Sequence, residues 1–202
     1  YSPAGTPVLK AVGQYDAAAR TYTLTLSQSC APTVGQAEKL PFVIPVQMGL
    51  LTASGQPIAL QLPGEDAAQA VASRMLVLTE AEQRFVFSNV SEAPVPSLLR
   101  SFSAPVVLEH EFSDADLLTL LAHDSDPFNQ WEASQRLGLR YALKAIAAST
   151  DTQSASDQFG TGILPADFIG AMRRVLQDEK LDAAFKDLVL TLPSESYIAE
   201  QL

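Results

Sequence analysis

The chain changes its hydrophobic period near Ser113, and that switch limits it to folds built from two unlike parts. Up to Phe112, apolar side chains alternate within short runs separated by turn residues, the period of half-buried strands. From Ser113 onward they recur at three and four residues, the period of amphipathic helices. A length of 202 residues suffices for one large or two small domains. The expected division is 1–112, all β, and 113–202, all α.

In the first part, residues 6–30 read as a β-hairpin. Val8, Leu9, Lys10, Ala11 and Val12 lead into a turn at Asp16-Ala17-Ala18-Ala19, and Tyr22-Thr23-Leu24-Thr25-Leu26 returns. A third strand is expected from Phe42 to Leu51, at an edge or bulge because of Pro41 and Pro45. Ser54-Gly55 then turns the chain into Ile58 to Leu62. After a polar loop, Met75–Leu78 and Arg84–Phe87 read as a strand pair joined by Thr79 to Glu82, and Val106–Phe112 closes the set. Short strands spaced by turns in this way predict an immunoglobulin-like β-sandwich.

Ser113 begins the second part as a helix cap, with Asp114 and Asp116 at the positive end of the helix dipole. Leu117, Leu118, Leu120 and Leu121 supply its apolar face. Asp126-Pro127 opens a second helix, since proline is tolerated in a first turn. Residues 149–162 are rich in Ser, Thr, Gln and Gly and predict a mobile loop. Helices are expected again over 165–180, over 182–190 and in the closing stretch 194–202. Successive antiparallel helices of this kind open a helical array, which normally continues beyond one or two pairs. A chain that starts on Tyr1 and stops at Leu202 inside apolar helical sequence is expected to be a segment of something longer.

The residues supply no catalytic set. The composition is 47% hydrophobic and 18% charged, that of a globular protein with a core, and the net charge of −10 argues against nucleic-acid binding. Arg173-Arg174 is the densest basic pair, and it reads as a solvated helix face. No apolar run approaches the roughly 20 residues of a membrane helix. Cys30 is the only cysteine, so no intrachain disulfide forms, and a cytoplasmic setting is expected. His110-Glu111 begins like a His-Glu-x-x-His zinc helix, but Asp114 stands where the second histidine is needed, and His123 belongs to a helix end. Asp124, Asp126 and Asn129 loosely resemble a calcium loop. Asn129 occupies the glycine place of that pattern and Gln135 the glutamate place, so helix capping is the better reading. Gly160-Thr161-Gly162 follows no strand and binds no dinucleotide. Asn89-Val90-Ser91 fits a glycosylation triplet, which has meaning only on secretion. Phe128, Trp131 and Tyr141 are expected to pack the helical core. No catalytic, cofactor-binding or metal residue is assigned in this chain.

Four stretches go further. Residues 36–46 read Gln-Ala-Glu-Lys-Leu-Pro-Phe-Val-Ile-Pro-Val. Residues 85–89 lead into 94–106, Pro-Val-Pro-Ser-Leu-Leu-Arg-Ser-Phe-Ser-Ala-Pro-Val. Residues 126–135 read Asp-Pro-Phe-Asn-Gln-Trp-Glu-Ala-Ser-Gln, and 190–200 read Leu-Thr-Leu-Pro-Ser-Glu-Ser-Tyr-Ile-Ala-Glu. Together and in this order they resemble the bacterial aminopeptidase N (alanyl aminopeptidase) family of single-zinc metallopeptidases. The resemblance covers essentially the whole chain.

It implies the complete β-sandwich plus the first helices of the C-terminal helical domain. The zinc helix and the loop gripping the substrate's free amine lie before the equivalent of Tyr1, and most of the helical lid follows Leu202. The implied role is a non-catalytic spacer and support between the catalytic domain and the lid. Its partners would be the remaining domains, with zinc and peptide substrates bound through the parent enzyme only, and neither nucleic acid nor membrane. The competing reading is a free-standing β-sandwich and helical module that binds another protein. Apolar surface left exposed on a sandwich face and along the last helices would favour the segment.

Overall fold

Tyr22, Leu24 and Leu26 of the strand Thr21–Ser29 are buried, and the threonines between them are not. That alternation places one face of the strand on a core and sets its register, because a slip by one residue would turn every leucine to water. The strand (β2) pairs antiparallel with Val8–Asp16 (β1), which buries Leu9 and Ala11. The computed structural model describes residues 3–150 and 164–202, with side chains to 148 in the first stretch. It falls into two compact units, Tyr1–Phe112 and Ser113–Leu202.

The first unit holds Ile44–Leu51 (β3), Pro57–Ile58 (β4), Arg74–Leu78 (β5), Glu82–Phe87 (β6), Val95–Ser97 (β7) and Val107–Glu109 (β8) besides β1 and β2. One sheet runs β6-β2-β1-β8; in the other, β3 pairs with β4, β5 and β7. Leu9, Leu24 and Leu26 from the first sheet share one core with Ile44, Val46, Met48, Leu76 and Leu78 from the second. Two sheets closed on a common apolar layer make the β-sandwich the alternation predicts.

Two local expectations give way, and a third holds in part. Met75–Leu78 and Arg84–Phe87 are not a pair: β5 joins β3 in one sheet and β6 joins β2 in the other. Their short link is a crossing between sheets, because Leu78 and Phe87 each find deeper burial against strands far away in sequence. Only Pro57 and Ile58 of the run toward Leu62 form a strand; Leu60 and Gln61 continue as isolated bridges to Val71 and Ser88. The proline-bearing strand β3 is the hub of its sheet and lies at an edge over its first half alone. There Gln47 N–H donates to Ser103 Oγ at 2.9 Å, so Pro45, of the same parity, has its missing donor on the side away from β5.

The second unit is helical throughout its described elements: Asp114–His123 (α1), Pro127–Thr150 (α2), Ala166–Gln177 (α3), Ala183–Leu190 (α4) and Glu195–Ala199 (α5). Ser113 starts it with a reciprocal cap. Its Oγ accepts the Asp116 N–H at 3.1 Å, and Asp116 Oδ2 accepts the Ser113 N–H at 2.9 Å. Replacing Ser113 with alanine should lower the stability of this unit by about 1 kcal/mol in urea unfolding. An unchanged midpoint would show that Asp114 and the first turn hold without the cap.

Asp114 meets Arg140 at 2.8 Å and Leu121 O accepts the Gln130 amide at 3.4 Å, so α1 and α2 run antiparallel. Ser134 Oγ donates to Val189 O at 2.7 Å, tying α2 to α4, and the Tyr141 and Phe168 rings meet edge-on at 5.5 Å between α2 and α3. The loop expected at 149–162 lies outside the described residues from 151 onward; α2 itself continues to Thr150. Among the described residues, no helix is long and apolar enough to cross a membrane.

Candidate functional site

Most of the described side chains singled out by sequence are engaged locally. His110 follows β8 by one residue, and its Nδ1 lies 2.8 Å from Ala11 O. Its ring meets Phe112 edge-on at 4.3 Å. His123 is the last residue of α1 and belongs to the other unit. Burial first, and then the neighbouring Arg174 guanidinium, hold its imidazole below the ordinary histidine range. Among the described residues, no three His, Cys, Asp or Glu side chains are grouped so as to hold a metal ion.

The calcium-like acids form a helix start instead. Asp126 Oδ1 accepts the Asn129 N–H and the Asn129 side-chain amide, both at 3.0 Å, and Asp124 Oδ1 accepts the Asp126 N–H at 2.9 Å. These are the orphan donors at the head of α2, satisfied from within the chain. Cys30 is half-buried, with Sγ 3.6–3.8 Å from the carbonyl oxygens of Ala4, Thr6 and Ala31. Asn89 sits in the left-handed region at φ 60° and donates through Nδ2 to Gln61 Oε1 at 2.7 Å. Phe128 and Trp131 lie with ring centroids 6.0 Å apart, and burial raises the Tyr141 phenol above its ordinary range. Gly160-Thr161-Gly162 lies outside the described residues.

One constellation is absent from the sequence reading. The end of α1 and one face of α3 line a cleft with Ala122, His123, Gly170, Arg173, Arg174 and Gln177. The spacing of 170, 173, 174 and 177 puts those four residues on one helix face. Nothing in the sequence ties that face to His123, about 50 positions earlier. The other charged pairing of note is structural: Glu65 takes Arg74 in a two-pronged pair at 2.8 and 2.9 Å. The Leu62 N–H, more than Arg74, holds the Glu65 carboxyl below the usual range.

The contacts described for these side chains are structural, so the relatives decide the broader reading. Residues 5–111 match the family described as a domain of unknown function (DUF3458) with an Ig-like fold. The chain belongs to the DUF3458 family. Residues 114–202 match its companion, DUF3458_C, described as ARM repeats. The expected order of an immunoglobulin-like sandwich followed by a helical array is thus borne out.

Over 200 residues this DUF3458 chain is 40% identical to aminopeptidase N of Escherichia coli, covering 99% of the chain and 22% of that protein. It is 34% identical to aminopeptidase N of Haemophilus influenzae over the same shares. The aminopeptidase N of Caulobacter vibrioides is 37% identical over 98% of the chain and 20% of its own length. The crystal structure of Legionella pneumophila aminopeptidase A in complex with aspartic acid superposes with a TM-score of 0.72 at 28% identity, over 98% of this chain and 20% of that one. The resemblance carried by the four stretches therefore holds over the whole DUF3458 chain. The chain spans about a fifth of the length of the curated relatives it matches.

Proposed function

We propose that this chain is a non-catalytic structural segment of a zinc aminopeptidase that removes N-terminal amino acids from peptides. In this reading 1–112 is the sandwich domain and 113–202 opens the helical domain, together a spacer and support between the catalytic domain and the helical lid. The observation that carries it is continuous identity to aminopeptidase N over nearly the whole chain, matched to about a fifth of that protein. Zinc and the peptide would be held by residues outside this chain. The described residues do not suit the metal, since no three His, Cys, Asp or Glu side chains among them are grouped so as to hold it.

Surface chemistry supports the segment reading. Ile169 and Leu176, seven apart on one face of α3, are 43% and 56% exposed, and Leu188 and Tyr197 of α4 and α5 are similarly open. On β5, Met75 and Val77 face outward while Leu76 and Leu78 are buried. Apolar side chains in those positions suit a piece covered by neighbouring domains. A single cysteine suits the cytoplasmic setting that we also propose.

The test is hydrolysis of an alanyl chromogenic amide by the purified chain, with and without added zinc, beside metal analysis. No turnover and no stoichiometric zinc are expected. Zinc-dependent turnover that disappears on replacing His110 or His123 would overturn the reading.

A further inference from the structure

The cleft between the last turn of α1 and α3 has a volume of about 630 Å³, within the roughly 300–1,000 Å³ usual for small-molecule sites. Its wall is basic in a chain of net charge −10. Arg173 and Arg174 come from α3 and His123 from α1, with the Gln177 amide one turn beyond the arginines. Among the described residues, neither arginine forms an ion pair. The one acid on the lining, Asp178, accepts the Lys180 N–H through Oδ1 at 2.9 Å. Gly170 keeps the wall open: a Cβ built there meets no heavy atom within 4 Å.

We propose that this cleft binds a phosphate group, free or carried by a small ester, between His123, Arg173, Arg174 and Gln177. Two guanidinium forks suit an oxyanion through paired, charge-assisted hydrogen bonds. A tetrahedral dianion offers enough oxygens for two forks, an imidazole and an amide together, which a carboxylate does not. The volume exceeds that of a bare phosphate, so the remainder of an ester fits as well. An anion seated there would also offset the Arg174 charge that, after burial, holds the His123 imidazole below its ordinary range. Charged groups on the neighbouring residue and on α2 have partners of their own. Asp124 accepts the Asp126 N–H, and Glu132 and Arg136 on α2 pair with each other at 2.8 Å. This proposal is independent of peptidase function.

The chain carries its own control, because it has two histidines and the other, His110, lies in the sandwich. The experiment follows both imidazoles by NMR at pH 7 while sodium phosphate replaces sodium chloride at constant ionic strength. A saturable shift of His123 with His110 unmoved is expected. Its pKa should rise on binding, because an adjacent anion favours the imidazolium. Arg174→Gln should weaken binding by about tenfold or more, the effect of one charge-assisted bond. Gly170→Leu should abolish it by placing a branched apolar side chain on the wall beside Arg173 and Arg174, with unchanged methyl dispersion showing that the fold is kept. A parallel titration with glycerol phosphate assigns the source: tighter binding than inorganic phosphate favours an ester, and equal binding favours the free ion. Equal responses of the two histidines, no response of His123, or an unaltered titration in Gly170→Leu would each overturn the site.

Discussion

Phe87→Ala should destabilise the sandwich by about 3–5 kcal/mol, the range for emptying a buried phenylalanine site. Phe87 is fully buried on β6, directly across from Tyr22 on β2, at the end of a strand that has a partner on one side only. Neighbours fixed in the opposite sheet cannot follow the ring's removal, so the cavity stays open. A typical domain holds about 5–15 kcal/mol in all, so a loss of this size leaves the unit near its unfolding threshold at room temperature. The His110 imidazole, bonded to Ala11 O in the same unit, reports that transition in a urea titration. Val12→Ala, at a position 52% exposed on β1, is the control and should fall within about 0.5 kcal/mol of the parent. A Phe87→Ala loss no larger than that of the control would mean that β6 does not seal the core as described.

Gly138→Leu should destabilise the helical unit by about 1–3 kcal/mol or more through overpacking. A Cβ at position 138 would stand 2.8 Å from Pro193 Cδ and 3.4 Å from Leu192 Cδ2. Those atoms belong to the link after α4; Ser134 and Gln135 already fasten the end of α4 and the start of that link to α2 through Val189 O and Thr191 O at 2.7 and 2.8 Å. Gly138→Ala is the finer test, because two effects oppose. Alanine gains about 1 kcal/mol in a helix interior over glycine, while the proline ring must give way. The rigid ring, on a link tethered at Thr191 and at the end of α4, should win, giving a net loss. Gly170→Ala, with nothing near its Cβ, should show the propensity gain alone. If both alanine variants stabilise equally, the α4 link is not seated on α2. The fluorescence of Trp131, the sole tryptophan, follows this unit through the urea transition.

What the sequence discloses here is what short-range physics controls. The run Tyr22 to Leu26 shows its buried face because every second residue is apolar, and Ser113 shows a helix start because a cap lies within three residues of what it caps. Pairing is different. The link between β5 and β6 has the length of a hairpin turn, yet Val46 and Leu24, not each other's residues, lie across from Leu76 and Phe85. Those partners sit tens of residues away, and many residues there are equally β-prone, so local composition cannot choose among them. The histidines follow the same division. That His123 ends a helix is legible in one turn of sequence, while the face of α3 beside it becomes visible only when the helices pack. The absence of a catalytic set is itself a proposal from motif spacing, and it rests on the same local logic.

The parallel pairing of β8 with β1 has a consequence in time. Val8 lies beside Val107, and the His110 ring reaches the Ala11 carbonyl across a separation of 99 residues. A ribosome adding about 5–20 residues per second needs roughly 5–20 s to supply the strand that covers that edge. Throughout that interval β1 offers unmated backbone groups to any extended chain nearby. The sandwich unit is therefore most exposed to mispairing at its first strand, and that exposure ends only when nearly the whole unit has left the ribosome.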